Sequence, residues 1–522
     1  MWVSASANLV LLEGKVLTMN PYQPSADAIA VKGNRIIKVG TNESVSKLIG
    51  KDTTVIRLEG RTVVPGFIDT HIHVCDFGKL LTWLNLENVA SIKEMQICLS
   101  QHIKKTVKGK WIIGRGWDQN RLSEKRLPTR FDLDLFSPDN PVVLYHQSGQ
   151  VCVVNSRALE LAGVNQHGNA GIDKNAQNGE LTGVLRDEAT NLVWKVIPEP
   201  SEEELLAATR GALNKIVEAG ITSVHWIVLS AIELFIIEKL ASTKLGLRVY
   251  LIIPENLLDK ALPILGKLKN EFLKFGGVVI FSDGYLASRT AALSQPYSDN
   301  PKERGELLCP EKEMFKLAGK IQDAGLQVVI HAVGDKAVET ALNVLEENSQ
   351  QLKAKSLRPR LEQAAVLSEE LIERINKQQA IVSVQPCVVA SEFSVWSAMA
   401  RLGAERARWL FPLKTLIEKG VMVVAGSDCP MEPLNPLLGI QAAVTRDAFP
   451  QERVSVEDAL RMYTVNAAYA SFDEKIKGSI EVGKLADFTI LSNDPHLVSP
   501  EKIREISVCI TVLNGKVLCS KK

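Results

Sequence analysis

Two histidines, His71 and His73, close the run Val-Val-Pro-Gly-Phe-Ile-Asp-Thr-His-Ile-His at residues 63–73. On a strand, residues i and i+2 point to one face, so both imidazoles converge. Neutral imidazole is a standard ligand of zinc and similar ions. A third histidine, His331, ends the apolar run 327–331, and Asp428 ends another at 421–428. A lone strand-end His or Asp is more often a hydrogen-bonded structural group or a helix cap. Three imidazoles and a carboxylate at corresponding strand ends instead make an N₃O set suited to one divalent ion, zinc first. The remaining histidines, His102, His146, His167, His225 and His496, lack that placement. His225, on the second strand, is the one kept in reserve.

Eight apolar, β-branched runs must hold these groups: 63–67, 221–224, 247–253, 278–281, 326–330, 360–364, 380–384 and 421–425. Most are followed by helical patterns, and several follow a helix-ending Gly (Gly220, Gly325, Gly420). Strands alternating with helices imply a parallel sheet, and eight of them an α/β fold of the (β/α)₈ barrel type. An open doubly wound sheet has the same rhythm; the strand-end ligands favour the barrel.

Both chain ends read differently. Residues 28–39 run apolar on either side of Gly33-Asn34, and 510–518 do so around Asn514-Gly515, which are hairpin signals. The expected division is a small β-sandwich from residues 1–64 and 475–522, a barrel over 65–474, and an inserted subdomain at about 84–199.

With 522 residues and 61 Lys+Arg against 60 Asp+Glu, the formal charge is +1. That balance gives no footprint for nucleic acid or an anionic membrane surface. No apolar stretch is long enough for a membrane span. The eight cysteines are scattered singly, without a C-x-x-C pair, and read as reduced thiols of a cytoplasmic protein. The partner expected is a small-molecule substrate; the oligomeric state, including a homo-oligomer, is left open.

Motifs along the whole chain resemble those of the amidohydrolase superfamily, within it the amidohydrolase-family-three branch that includes N-substituted formamide deformylase. They are PGFIDTHIH (65–73), GRGWDQNRL (114–122), PTRFDLD (128–134), SRTAAL (288–293), GLQVVIHAVGDKAVE (325–339), AGSDCPMEPLNPL (425–437) and GSIEVGKLADFTIL (478–491). The resemblance implies a metal-bearing barrel beside a β-sandwich, hydrolysis of an amide-like C–N bond, and His71, His73, His331 and Asp428 as metal ligands. Four positions depart from the family pattern. Val279 stands where a bridging Lys is usual, and Gln363 where the strand-six His is usual. Ser148-Gly-Gln150 replaces Asp-Gly-His, and Trp226 takes the place of an acidic residue after His225. With the bridge and one imidazole missing, a single metal ion is expected.

The function expected is therefore hydrolysis of a non-peptide C–N bond by metal-hydroxide attack. Asp428 is the catalytic proton carrier, and the Gln363 amide donates to a developing oxyanion. Arg289, Gln150 and Trp226 are the candidate substrate contacts. The alternative is a catalytically silent relative that keeps the fold and binds a small molecule, since neither Val279 nor Gln363 can titrate.

Overall fold

The computed structural model describes residues 6–164, 170–243, 245–268, 270–351, 358–394 and 396–520. His167 and the Gly168-Asn169 part of a turn read from the sequence lie outside them. The chain divides into two compact units, residues 1–77 with 209–522, and Gly78–Ala208.

The first unit contains an eight-stranded parallel barrel. Its strands are β1 (Phe67–Ile72), β2 (Ile221–Ile227), β3 (Arg248–Pro254), β4 (Leu273–Phe281), β5 (Gln327–Ala332), β6 (Arg360–Gln363), β7 (Ile381–Val384) and β8 (Val423–Ala425), each paired with the next in chain order. The last is stitched to the first beyond its end: Asp428 N–H donates to the His71 carbonyl at 2.8 Å, and His73 N–H to the Cys429 carbonyl at 3.0 Å. Closure thus runs through His71, His73 and Asp428.

One boundary differs from the sequence reading. The run 63–67 is not the first barrel strand. Thr62–Pro65 pairs with Lys15–Leu17 and Phe488–Leu491 in a separate sheet. The break is Gly66, whose N–H donates to the Asp487 carbonyl at 3.0 Å. A Cβ there would lie 2.2 Å from the Thr222 side chain, so only glycine lets the chain step between sheets so close to β2.

That separate sheet has six strands and draws on both chain ends, with Lys516–Ser520, Val508–Leu513 and Phe488–Leu491 beside Thr62–Pro65, Lys15–Leu17 and Ser25–Ala26. A four-stranded sheet holds Arg35–Gly40, Ala28–Lys32, Leu9–Leu12 and Thr54–Arg57. Leu11, Ile29, Val63, Phe488 and Val512 share one buried cluster. Both hairpins form, and Asn514 and Gly515 take φ of 55° and 74°, as a tight two-residue turn requires.

The Gly78–Ala208 unit is built on a six-stranded mixed sheet with a core that includes Trp117, Leu133, Leu144 and Val153. None of the eight cysteines forms a disulfide. Among the described residues no helix is long and apolar enough to cross a membrane.

Candidate metal centre

β1 ends on His71-Ile72, and His73 follows directly. The two rings meet edge to face with centroids 5.3 Å apart. His71 Nε2 and His73 Nε2 lie 3.5 and 3.4 Å from the same atom, Asp428 Oδ1. One ligand atom from each residue falls within 4.8 Å of the others. Asp428 sits just past β8 with φ of 59°, a left-handed conformation uncommon for a non-glycine residue.

The opposite ring nitrogens show how these histidines are set. His73 Nδ1 is 3.1 Å from the Ile227 carbonyl, which can only accept, so this nitrogen carries hydrogen. His71 Nδ1 is 2.8 Å from Glu362 Oε2. Burial works against charge on Glu362, but Arg360 and His71 hold its pKa down to about 2, so it too accepts. In the neutral rings both Nε2 lone pairs then point at an ionised carboxylate. Three acceptors so close repel unless a cation or a proton sits among them. The arrangement fits a metal ion, with each ligand imidazole oriented by a hydrogen bond from its far nitrogen. Without one, burial disfavours a proton on His73, yet the Asp428 carboxylate raises its pKa above the ordinary value. Asp428 is itself held low, against its burial, by His71, His73 and His331.

His331, near the end of β5, faces the same cavity, and both its ring nitrogens are buried without a hydrogen-bond partner. Burial, then the neighbouring His71, lowers its pKa to about 4, so it stays neutral and keeps a lone pair free. Phe281 and Tyr285 pack against it at 5.4 and 5.5 Å between centroids. Such an orphaned imidazole is costly unless something binds it.

These groups line a cavity of about 490 Å³. Of the positions that depart from the family pattern, Val279 and Gln363 line this cavity. Gln363 is buried at the end of β6 with φ of 70°.

Other candidates fall elsewhere. Arg289 does not line the cavity; its guanidinium is engaged by Asp299, with Nε and Nη2 at 3.2 and 3.0 Å from the carboxylate. Trp226 is fully buried and donates its indole N–H to Glu233 at 3.2 Å, because strand alternation turns it away from the face that carries His225. Gln150 is exposed in the turn before Val151–Val154 of the Gly78–Ala208 unit. His225 is buried against Arg360, 2.7 Å from Nδ1 to Nη1; neither it nor the predicted ligand His331 joins the three-residue cluster of His71, His73 and Asp428.

Three positioning residues escaped the sequence reading. Asp69 Oδ1 accepts from the backbone N–H of both His71 (3.1 Å) and Ser427 (2.9 Å), tying β1 to the segment that presents Asp428. Arg360 and Glu362 form an ion pair at 2.5 Å, both without solvent exposure. The signal for Arg360 and Glu362 was present: two opposite charges at i and i+2 of a fully buried strand.

A sequence profile described as "Amidohydrolase family" matches residues 54–519. The chain is 33% identical to the "Putative amidohydrolase YtcJ" of Bacillus subtilis, over 97% of this chain and 98% of that one. It is 27% identical to the "N-substituted formamide deformylase" of Arthrobacter pascens, over 97% of each. Among solved structures, an uncharacterized metal-dependent hydrolase from Pyrococcus furiosus superposes with a TM-score of 0.77 at 31% identity, covering 94% of this chain and 99% of that one.

Proposed function

The chain belongs to the amidohydrolase family, and from that premise we propose that it hydrolyses an amide-like, non-peptide C–N bond of a small molecule. We assign one divalent ion, zinc, to His71, His73, His331 and Asp428. The observation that carries this reading is the convergence of two Nε2 lone pairs on Asp428 Oδ1, with both far nitrogens already engaged. Three imidazoles and one carboxylate suit zinc.

A zinc ion held by these residues would supply Lewis acidity and make water acidic enough to react near neutral pH. The remaining chemistry falls to the protein. Asp428 is the carboxylate of the cluster, and it takes a proton from water and delivers it to the leaving nitrogen. Gln363 presents a side-chain amide to the cavity and donates to the oxygen on which charge develops. It cannot shuttle a proton, so proton transfer rests on Asp428 alone. Glu362 fixes the His71 ring. Eight cysteines without a disulfide support a cytoplasmic setting.

The test is amine release from a panel of simple formamides and acetamides by zinc-loaded protein, against a chelator-treated sample and Asp428→Asn. Release that depends on zinc and on Asp428 supports the reading. No release above the chelated control, with zinc bound, favours the silent binding protein.

A further inference from the structure

Away from the histidine cluster the cavity wall is largely apolar, formed by residues such as Val388, Ala365, Phe411 and Trp396. Glu392 interrupts it. It lies on the helix Pro386–Ser394 that follows β7, one turn after Val388 and on the same inward face. Its relative exposure is 6%, and Oε2 is buried with no hydrogen-bond partner. Among the described residues no cation lies within ion-pair distance of it. Arg401 lowers its pKa through its field without pairing with it: Nη1 is committed to Asp299 at 2.5 Å and Nη2 to the Ala287 carbonyl at 3.0 Å, while Nε is buried with no hydrogen-bond partner. Burial pushes the Glu392 carboxyl up to about 7.

An unpaired carboxyl at this depth costs stability, and a leucine or methionine would fill the wall without that cost. The group is explained if a ligand brings the missing donor. Resting on the hydrolase reading above, we infer that the substrate is an amide with an apolar body and a terminal amino group, and that Glu392 is the specificity-determining residue that receives the amino group. The apolar wall takes the body, and the histidine cluster takes the scissile bond. A charge-assisted hydrogen bond inside an apolar cavity discriminates strongly against an analogue lacking the charge.

The test uses binding, so it does not depend on turnover. Zinc-loaded full-length protein is titrated calorimetrically with phenylalkylamines of increasing chain length, each paired with the alcohol of equal length. At least one amine should bind about ten- to a hundredfold more tightly than its alcohol. Glu392→Gln should abolish that preference and leave the alcohol affinity unchanged. Glu392→Met should do the same and melt at or above the wild-type temperature. Equal affinity for amine and alcohol at every length, no binding of any amine, or a preference that survives both variants (as capture of the amine by zinc would) overturns the inference. An enzyme active on neutral amides but without amine preference refutes this inference alone; an inactive protein with the preference refutes only the hydrolase reading.

Discussion

Glu362 Oε2 stands 2.8 Å from His71 Nδ1 while the other Glu362 oxygen meets the Arg360 guanidinium at 2.5 Å. The imidazole that faces Asp428 is therefore braced by a charge pair fully withdrawn from water. Arg360 continues the chain of contacts to His225 Nδ1 at 2.7 Å and to the Thr70 carbonyl at 2.5 Å. Position and tautomer of His71 are fixed from inside the barrel, not from its mouth.

Glu362→Gln should weaken zinc binding about 10- to 100-fold, because His71 loses the acceptor that orients it. It should also cost about 3–5 kcal/mol of stability by leaving Arg360 uncompensated. The folded-state pKa of Glu362 is depressed to about 2, so its stabilisation is full above the ordinary glutamate range and fades as pH falls toward 2. Competition with a chromophoric chelator and urea unfolding at several pH values check both effects. The variant should lose this part of the acid dependence.

Gly426→Ala should displace His71. A Cβ at Gly426 would lie 2.4 Å from the His71 backbone nitrogen and 2.9 Å from Asp69 Oδ1, atoms that cannot give way cheaply. A loss of about 1–3 kcal/mol and of most zinc retention is expected. Gly211→Ala, in a helix with open space around it, is the control and should be neutral or stabilising. Thermal melts and metal analysis of the two variants decide it.

Zinc retention should fall as pH drops through the His73 range, because a ligand imidazole must be neutral. The apo pKa of His73 is raised above the usual value near 6.5, so protons begin to compete at or above that pH. His331, lowered to about 4, should not set the onset. Equilibrium dialysis from pH 8 to 4 reads this directly. An onset only near pH 4 would assign the competing proton to the wrong residue.

The signals differ in range. The His71–His73 pairing was legible because strand alternation and strand-end position are local: the two need only each other and the run before them. Arg289 was misread because a cation past a strand looks available until Asp299 is seen beside it. Trp226 was offered as a substrate contact although packing is the commoner role of a buried Trp, and it packs against Glu233, as adjacent strand residues face opposite ways. The first barrel strand was set too early because one apolar run serves two sheets, with only Gly66 marking the change. The Arg360–Glu362 pair was passed over in favour of Gln363, and its partners on β1 and β2 are far away in sequence.

Val279 and Gln363 line one cavity, so they test what a second metal would need. Val279→Lys alone buries a charge beside a cation and should destabilise the barrel. Gln363→His alone adds a nitrogen without a bridge. The double variant in bicarbonate should bind a second equivalent, by more than the single changes summed. A folded double variant that stays at one equivalent in excess zinc would show that these positions are not sufficient.

If the histidine–carboxylate cluster holds one divalent ion, metal content per chain reads it out. Plasma emission on protein purified without chelator and re-equilibrated with zinc should give about one equivalent for the wild type. It should give almost none for His71→Ala, and close to the wild-type value for His225→Ala, whose imidazole serves Arg360. Two tightly held equivalents in the wild type, or a His71→Ala variant that keeps its zinc, would contradict the account.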